Sequence, residues 1–139
     1  MTSYQHSKFK VTYKYRAKKS DSKGFIPKSV QKQVIQEPCK HCGSIDIPSS
    51  ADHIFPVVFG GDSNIDNLQC LCTSCHSMKT KEEQKILKAL QTLKLAEKCG
   101  SEMYYYITED EVREFYNKYG GQFVVLRMNN IINDWGKFL

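Results

Sequence analysis

No apolar run in this chain comes near the ~20 residues that a helix needs to cross a bilayer. The opening residues, MTSYQHSKFK, have no apolar core of the signal-peptide kind. Repeats and low-complexity segments are also missing. These absences argue against a membrane partner and lead us to expect a protein kept in a reducing cytosol. Six cysteines in such a compartment argue for metal ligation rather than disulfides. At 139 residues, 40% hydrophobic and 25% charged, the chain is one soluble domain's worth with a modest core.

Acidic residues are scarce at one end. Residues 1 to 40 hold ten Lys/Arg against two Asp/Glu, a balance of +8, whereas residues 41 to 139 hold ten against thirteen, a balance of −3. A basic arm on a near-neutral body suits a nucleic-acid grip; the alternative is a solvated tail. Within the arm, KFKVTYKYR (8 to 16) alternates, with Phe9, Val11, Tyr13 and Tyr15 on one side and Lys8, Lys10, Thr12, Lys14 and Arg16 on the other. That period predicts a strand with one face able to meet phosphates. AKKSDSKG (17 to 24) reads as a loop.

Residues 37 to 80 are short elements tied by turns, with Pro38, Gly43, Pro48, Pro56, Gly60, Gly61 and Asn64 as punctuation. Ile54, Phe55, Val57, Val58 and Phe59 read as a buried strand, with Asp52 and His53 at its mouth. Residues 82 to 99 carry Ile86, Leu87, Leu90, Leu93 and Ala96 at helical spacing, with Gly100 as the stop. Thr108 and Glu111 form a capping box that opens a helix carrying Val112, Phe115, Tyr116 and Tyr119. Residues 122 to 128 lean towards strand, and Trp135 and Phe138 make the tail apolar enough to dock.

Cys39-Lys-His-Cys42 and Cys72-Thr-Ser-Cys75 are two C-x-x-C pairs. Each turn aims two thiolates at one point, and two turns complete a tetrahedral zinc shell. Four thiolates make His41 unnecessary as a ligand. Cys70 and Cys99 have no such partner and are expected as buried small hydrophobes. A structural zinc contributes roughly 10–16 kcal/mol in finger-like peptides, enough to pin the ends of the irregular segment between the pairs. That segment contains Asp52 and His53.

The region reads C-x-x-C, then DHI-x-P, GG and NLQ-x-LC-x-x-CH-x-x-KT, in that order over residues 38 to 80. It resembles the HNH endonuclease family, whose core is the ββα-metal fold. The fold class that follows is α+β. A zinc-stapled ββα-metal core (37–81) lies between a basic N-terminal strand and arm (1–36) and C-terminal helices packing on the core (82–139).

Hydrolysing a phosphodiester needs an activated water, charge neutralisation at the phosphate and a stabilised leaving oxygen. A neutral imidazole can take the water's proton, which makes His53 the candidate general base. Asp52 and His76 are the candidate ligands of one divalent cation, Mg²⁺ or Mn²⁺. The resemblance implies that Asn67 braces the loop carrying the catalytic histidine. Lys79 and Lys81, on the exposed side of the helix, join Lys8, Lys10, Lys14 and Arg16 as candidate phosphate contacts. The expectation is a DNA endonuclease of a phage or restriction setting, in a bacterial host's cytosol. Its partners would be double-stranded DNA and either a second copy or a packaging protein.

Two other classes compete. A non-catalytic zinc module that binds nucleic acid accounts for the cysteines and the charge, but not for Asp52, His53, Asn67 and His76 together. A structural zinc protein bridging other proteins fits the tyrosine-rich segment around Met103, Tyr104, Tyr105 and Tyr106, but not the arm.

Overall fold

The computed structural model describes residues 6–12 and 24–119. The predicted arm strand is β1, Phe9–Thr12, with Val11 buried and Lys10 and Thr12 exposed. Its partner is remote in sequence. β1 pairs antiparallel with β5 (Glu102–Tyr105), which pairs in turn with β4 (Ala96–Cys99). Phe9 lies opposite Tyr105 with the rings stacked at 4.7 Å, and Val11 lies opposite Met103. Lys14, Arg16, the loop expected to start at 17, the strand expected over 122 to 128, and Trp135 and Phe138 fall outside the described residues.

The second sheet is the hairpin of β2 (Ser49–His53) and β3 (Leu68–Cys72), followed directly by α2 (Thr73–Thr92). Asp52 pairs with Gln69 and His53 with Leu68. Leu68, Cys70 and Ala51 pack against Ile26 and Val34, the latter from α1 (Lys28–Val34), while Asp52 and Gln69 face α2.

The strand expected over residues 54 to 59 is corrected here: β2 ends at His53, and Val57–Phe59 form one 3₁₀ turn after Pro56. Proline has no N–H for a ladder. Its carbonyl instead receives the Gly61 N–H at 2.9 Å, folding the chain back. The two glycines are needed there. Gly60 has φ +111°, and a Cβ on Gly61 would lie 1.7 Å from the Phe55 carbonyl oxygen. The apolar residues of this run serve the core rather than a sheet: Phe55 and Phe59 are buried against Tyr116.

The helix expected over 82 to 99 begins earlier and ends sooner. α2 stops at Thr92, where Lys94 takes φ +61°; Lys94 N–H then bonds Gln91 O and Leu95 N–H bonds Leu90 O. That is a Schellman ending with a lysine where glycine is usual, and Leu90 and Leu95 supply its apolar contact. Ala96–Cys99 is strand, and Gly100 (φ +61°) makes the hairpin turn into β5 rather than stopping a helix. Among the described residues, the expected extension thus holds the end of α2, the β4–β5 hairpin and α3, and α2 runs across the boundary expected after residue 81. Cys70 is buried as expected, but Cys99, near the hairpin tip, is exposed.

α3 spans Glu109–Tyr119 behind the expected capping box: Glu111 N–H donates to Thr108 Oγ1 (3.2 Å) and Thr108 N–H to Glu111 Oε1 (2.9 Å). The main core lies between α2, α3 and the three-stranded sheet and includes Ile86, Leu90, Leu93, Met103, Tyr105, Val112 and Phe115. Met103 and Tyr105 thus point inward, which removes half of the expected tyrosine-rich docking face. No helix among the described residues is long and apolar enough to cross a membrane.

Candidate active site and metal centre

The two C-x-x-C turns converge. The Sγ atoms of Cys39, Cys42, Cys72 and Cys75 all lie within 4.8 Å of one another. Cys42 and Cys72 are 3.8 Å apart, close to the edge of about 3.8 Å for a sulfur tetrahedron with 2.3 Å metal–sulfur bonds. Burial raises the Cys39 thiol, but hydrogen bonds from the Cys42, Cys72 and His41 backbone outweigh it and bring the thiol down to about 6. The Cys75 thiol is pushed up by burial and by its three sulfur neighbours. Four sulfurs in so small a space cannot share negative charge without a cation between them. The donor set therefore fits a soft, tetrahedral metal ion. Leu71, fully buried, seals the cluster from the hairpin side.

The second group lies at the opposite end of the hairpin from the cysteines, where β2 runs into the 54–67 loop and His76 and Lys79 of α2 approach it. Asp52 is 6% exposed, on the last turn of β2 before the chain leaves the sheet. Its Oδ1 is 3.5 Å from His76 Nε2, and its Oδ2 accepts hydrogen bonds from Gln69 Nε2 (3.0 Å) and Lys79 Nζ (3.1 Å). Oxygen and imidazole ligands in an octahedral shell of 2.0–2.1 Å bonds sit about 3 Å apart. The Asp52–His76 pair needs only a small approach to hold a hard divalent cation. A cavity of about 230 Å³ opens beside the pair, lined by Asp52, His53, His76 and Glu83 together with Pro56 and Val57.

His53, at the same strand end, is half-buried, with Nε2 at 2.9 Å from Ser63 Oγ. Burial lowers its pKa; the Lys79 ammonium adds to this, while Asp52 and Asp62 pull the other way. Asn67 fixes the loop that leaves His53. Its Oδ1 accepts from Phe55 N–H (2.9 Å), and its Nδ2 donates to Phe55 O (3.1 Å) and Asp62 O (2.7 Å). Three bonds from one amide clamp both ends of the Phe55-to-Asp62 loop.

Lys79 is where the structure departs most from expectation. It is 3% exposed, not on the open side of the helix. Its ammonium donates to the His53 carbonyl oxygen (2.8 Å), pairs with Asp52 and Glu83, and lies 5.8 Å from the centre of the Tyr116 ring. Burial alone would lower the Lys79 pKa, but the Glu83 and Asp52 carboxylates reverse this and raise it, so the charge is locked in. Burial raises Glu83 against the opposing pull of Lys79. A lysine defaults to solvent; the signal that could have found it is the helical stripe Cys75, Lys79, Glu82, Ile86. Ser63, Gln69 and Glu83 were not foreseen either. Lys81 is exposed as expected. Lys8, just before β1, and Lys10, on it, are exposed and away from this cavity's lining, and Lys10 pairs with Glu102 at 3.1 Å.

Residues 39–82 match the HNH endonuclease family. The chain is 45% identical over 53 residues to the DNA annealing helicase and endonuclease ZRANB3 of Mus musculus and 43% identical over 53 residues to that of Homo sapiens; each alignment covers 37% of this chain and 5% of the relative. Anaredoxin of Nostoc sp. is 35% identical over 48 residues, which are 34% of this chain and 63% of that protein. No solved structure matches the chain. The match covers β2, β3 and the first half of α2, so residues 39–82 are an HNH endonuclease-type domain.

Proposed function

We propose that the protein is a metal-dependent endonuclease that hydrolyses DNA phosphodiester bonds. The observation that carries this is the placement of His53 beside the Asp52–His76 pair at one strand end, next to an open cavity. The Ser63 hydroxyl at 2.9 Å from Nε2 engages one ring nitrogen; in the tautomer whose Nε2–H donates to it, Nδ1 is the proton acceptor for the attacking water. The lowered His53 pKa keeps that imidazole neutral near pH 7. Asn67 holds the loop behind it still, and Lys79 fixes both the His53 backbone and the Asp52 carboxylate. When bound at Asp52 and His76, Mg²⁺ or Mn²⁺ supplies charge neutralisation at the scissile phosphate and the leaving oxygen. Zinc on the four cysteines is the structural ion, matching their softness.

A phage or restriction role in a bacterial cytosol, with β1 and its basic continuation as part of the grip, completes the proposal. One site cuts one strand, so a double-strand break requires a second copy or two events. The locked Lys79–Asp52 pair favours one other reading, a non-catalytic zinc module that binds nucleic acid, because the ammonium already neutralises the carboxylate. Supercoiled plasmid separates the two. Nicking that requires Mg²⁺ or Mn²⁺ and is lost in His53→Ala supports the endonuclease. DNA binding without cleavage under any divalent cation supports the module.

A further inference from the structure

Gln69 and Lys79, the two donors on Asp52 Oδ2, also line a second, larger cavity of about 610 Å³. Lys40 and His41 reach it from the first cysteine turn, Arg113 and Asn117 from α3, and Gln69 and Lys79 form the wall shared with Asp52. Among the described residues, no carboxylate lines it. The two cavities differ in charge: the smaller presents Asp52 and Glu83, whereas the larger sets cations and amides beside apolar lining from Ile54, Phe55 and Leu71. Arg113 is held with its guanidinium carbon 4.1 Å from the centre of the Phe55 ring, a contact that fixes the plane while leaving the N–H edges for an anion. Lys40 is exposed and is positioned by its own backbone, whose N–H bonds Cys70 O at 2.8 Å.

Resting on the endonuclease reading, we propose that this cavity seats the phosphodiester backbone of the DNA strand next to the bond that is cut, with Lys40 and Arg113 as its two phosphate contacts. Two cations from separate elements, on a rim free of carboxylates, suit a ligand with repeated negative charge. Neither residue lies in the N-terminal arm of residues 1–36. The grip is therefore split, and this half of it is built on the metal-bearing turn and on α3, which makes it sensitive to how those two elements sit on the hairpin.

The test is the salt dependence of duplex affinity, read by fluorescence anisotropy without divalent cation. Lys40→Ala with Arg113→Gln should flatten the plot of log affinity against log salt by about 1.8, at about 0.9 per lost contact, and weaken binding roughly tenfold or more near 0.1 M salt. Lys40→Ala alone should flatten it by about 0.9 and keeps the test decisive should the double variant fold poorly. Lys88→Ala with Lys98→Ala removes the same charge from exposed positions elsewhere on the chain and should leave the slope closer to wild type. A slope unchanged in Lys40→Ala, or flattened equally by the control pair, overturns the assignment. If wild-type protein binds duplex through these residues yet never cuts it, the cavity stands and the endonuclease reading falls. If wild-type protein neither binds nor cuts, both fall.

Discussion

Lys79 Nζ sits 3.1 Å from Asp52 Oδ2, on the carboxylate whose other oxygen faces His76 Nε2 at 3.5 Å. The buried carboxylate is thus held from one side by an internal cation and left open on the other. Lys79 also joins α2 to the strand end that carries His53. It is a positioning residue whose loss should be felt first in stability.

Lys79→Ala leaves the buried Asp52 and the half-buried Glu83 without their shared cation, which for a broken buried pair costs about 3–5 kcal/mol. Chemical denaturation should show a loss of that size. Added Mn²⁺ should recover part of it, because a cation bound only by the folded protein stabilises it. A loss below about 1 kcal/mol would mean the ammonium is not an integral part of the site.

His53→Ala and His76→Ala should fail differently. Removing a general base costs typically ~10²–10⁴-fold in kcat, with DNA affinity and metal content kept. High Mn²⁺ should restore some rate to His76→Ala and none to His53→Ala. In the wild type, the lowered His53 pKa places the acid limb below the ordinary histidine value of 6.5. As pH falls through that limb, the imidazole gains a proton and the rate drops; above it, His53 imposes no pH dependence. Rate–pH profiles with the cation saturating check both points, and an intact kcat in His53→Ala would sink the mechanism.

Cys39→Ser or Cys75→Ser should release the structural metal and lower Tm sharply, since the cluster pins both ends of the hairpin segment. Mild EDTA should abolish cleavage while leaving that metal and the fold in place. Elemental analysis finding a fully folded protein with no metal on the cysteines would contradict this.

Gly61→Ala puts a methyl group 1.7 Å from the Phe55 carbonyl oxygen, so the loop itself has to move. The expected cost is about 2 kcal/mol or more. The loop also carries Ser63 to His53, so activity should fall further than the stability loss alone explains. Gly43→Ala, where nothing lies within 4 Å of the added carbon, is the comparison; its strain comes from φ alone.

The features legible in the sequence were those set by local spacing. C-x-x-C turns and the Thr108–Glu111 capping box announce themselves within four residues, and both have the expected geometry. The ends of elements were misread where an unusual residue took the usual one's place. Lys94 adopts the left-handed conformation that glycine normally signals, so the sequence pattern carries the helix on to Gly100. The helical stripe through Cys75 and Ile86 marks Lys79 as inward, but its charge partner is not legible from neighbours in sequence, because the Asp52 carboxylate arrives from β2. The strand character of residues 9 to 12 was readable, but not its partner; pairing with β5 depends on packing that only the folded chain creates.

That pairing has a consequence for the order in which the protein can be made. Phe9 emerges from the ribosome long before Tyr105, whose hydroxyl bonds the Val58 carbonyl in the loop following His53. At synthesis rates of about 5–20 residues per second, β1 waits roughly 5–20 s for its neighbour. The hairpin and cysteine cluster can gather during that interval, while the tether from β5 to the loop is still missing. The His53 end of the hairpin is therefore secured late: β5 reaches its loop only once residues 96 to 105 are in place, and Tyr116 of α3 packs on Phe55 later still.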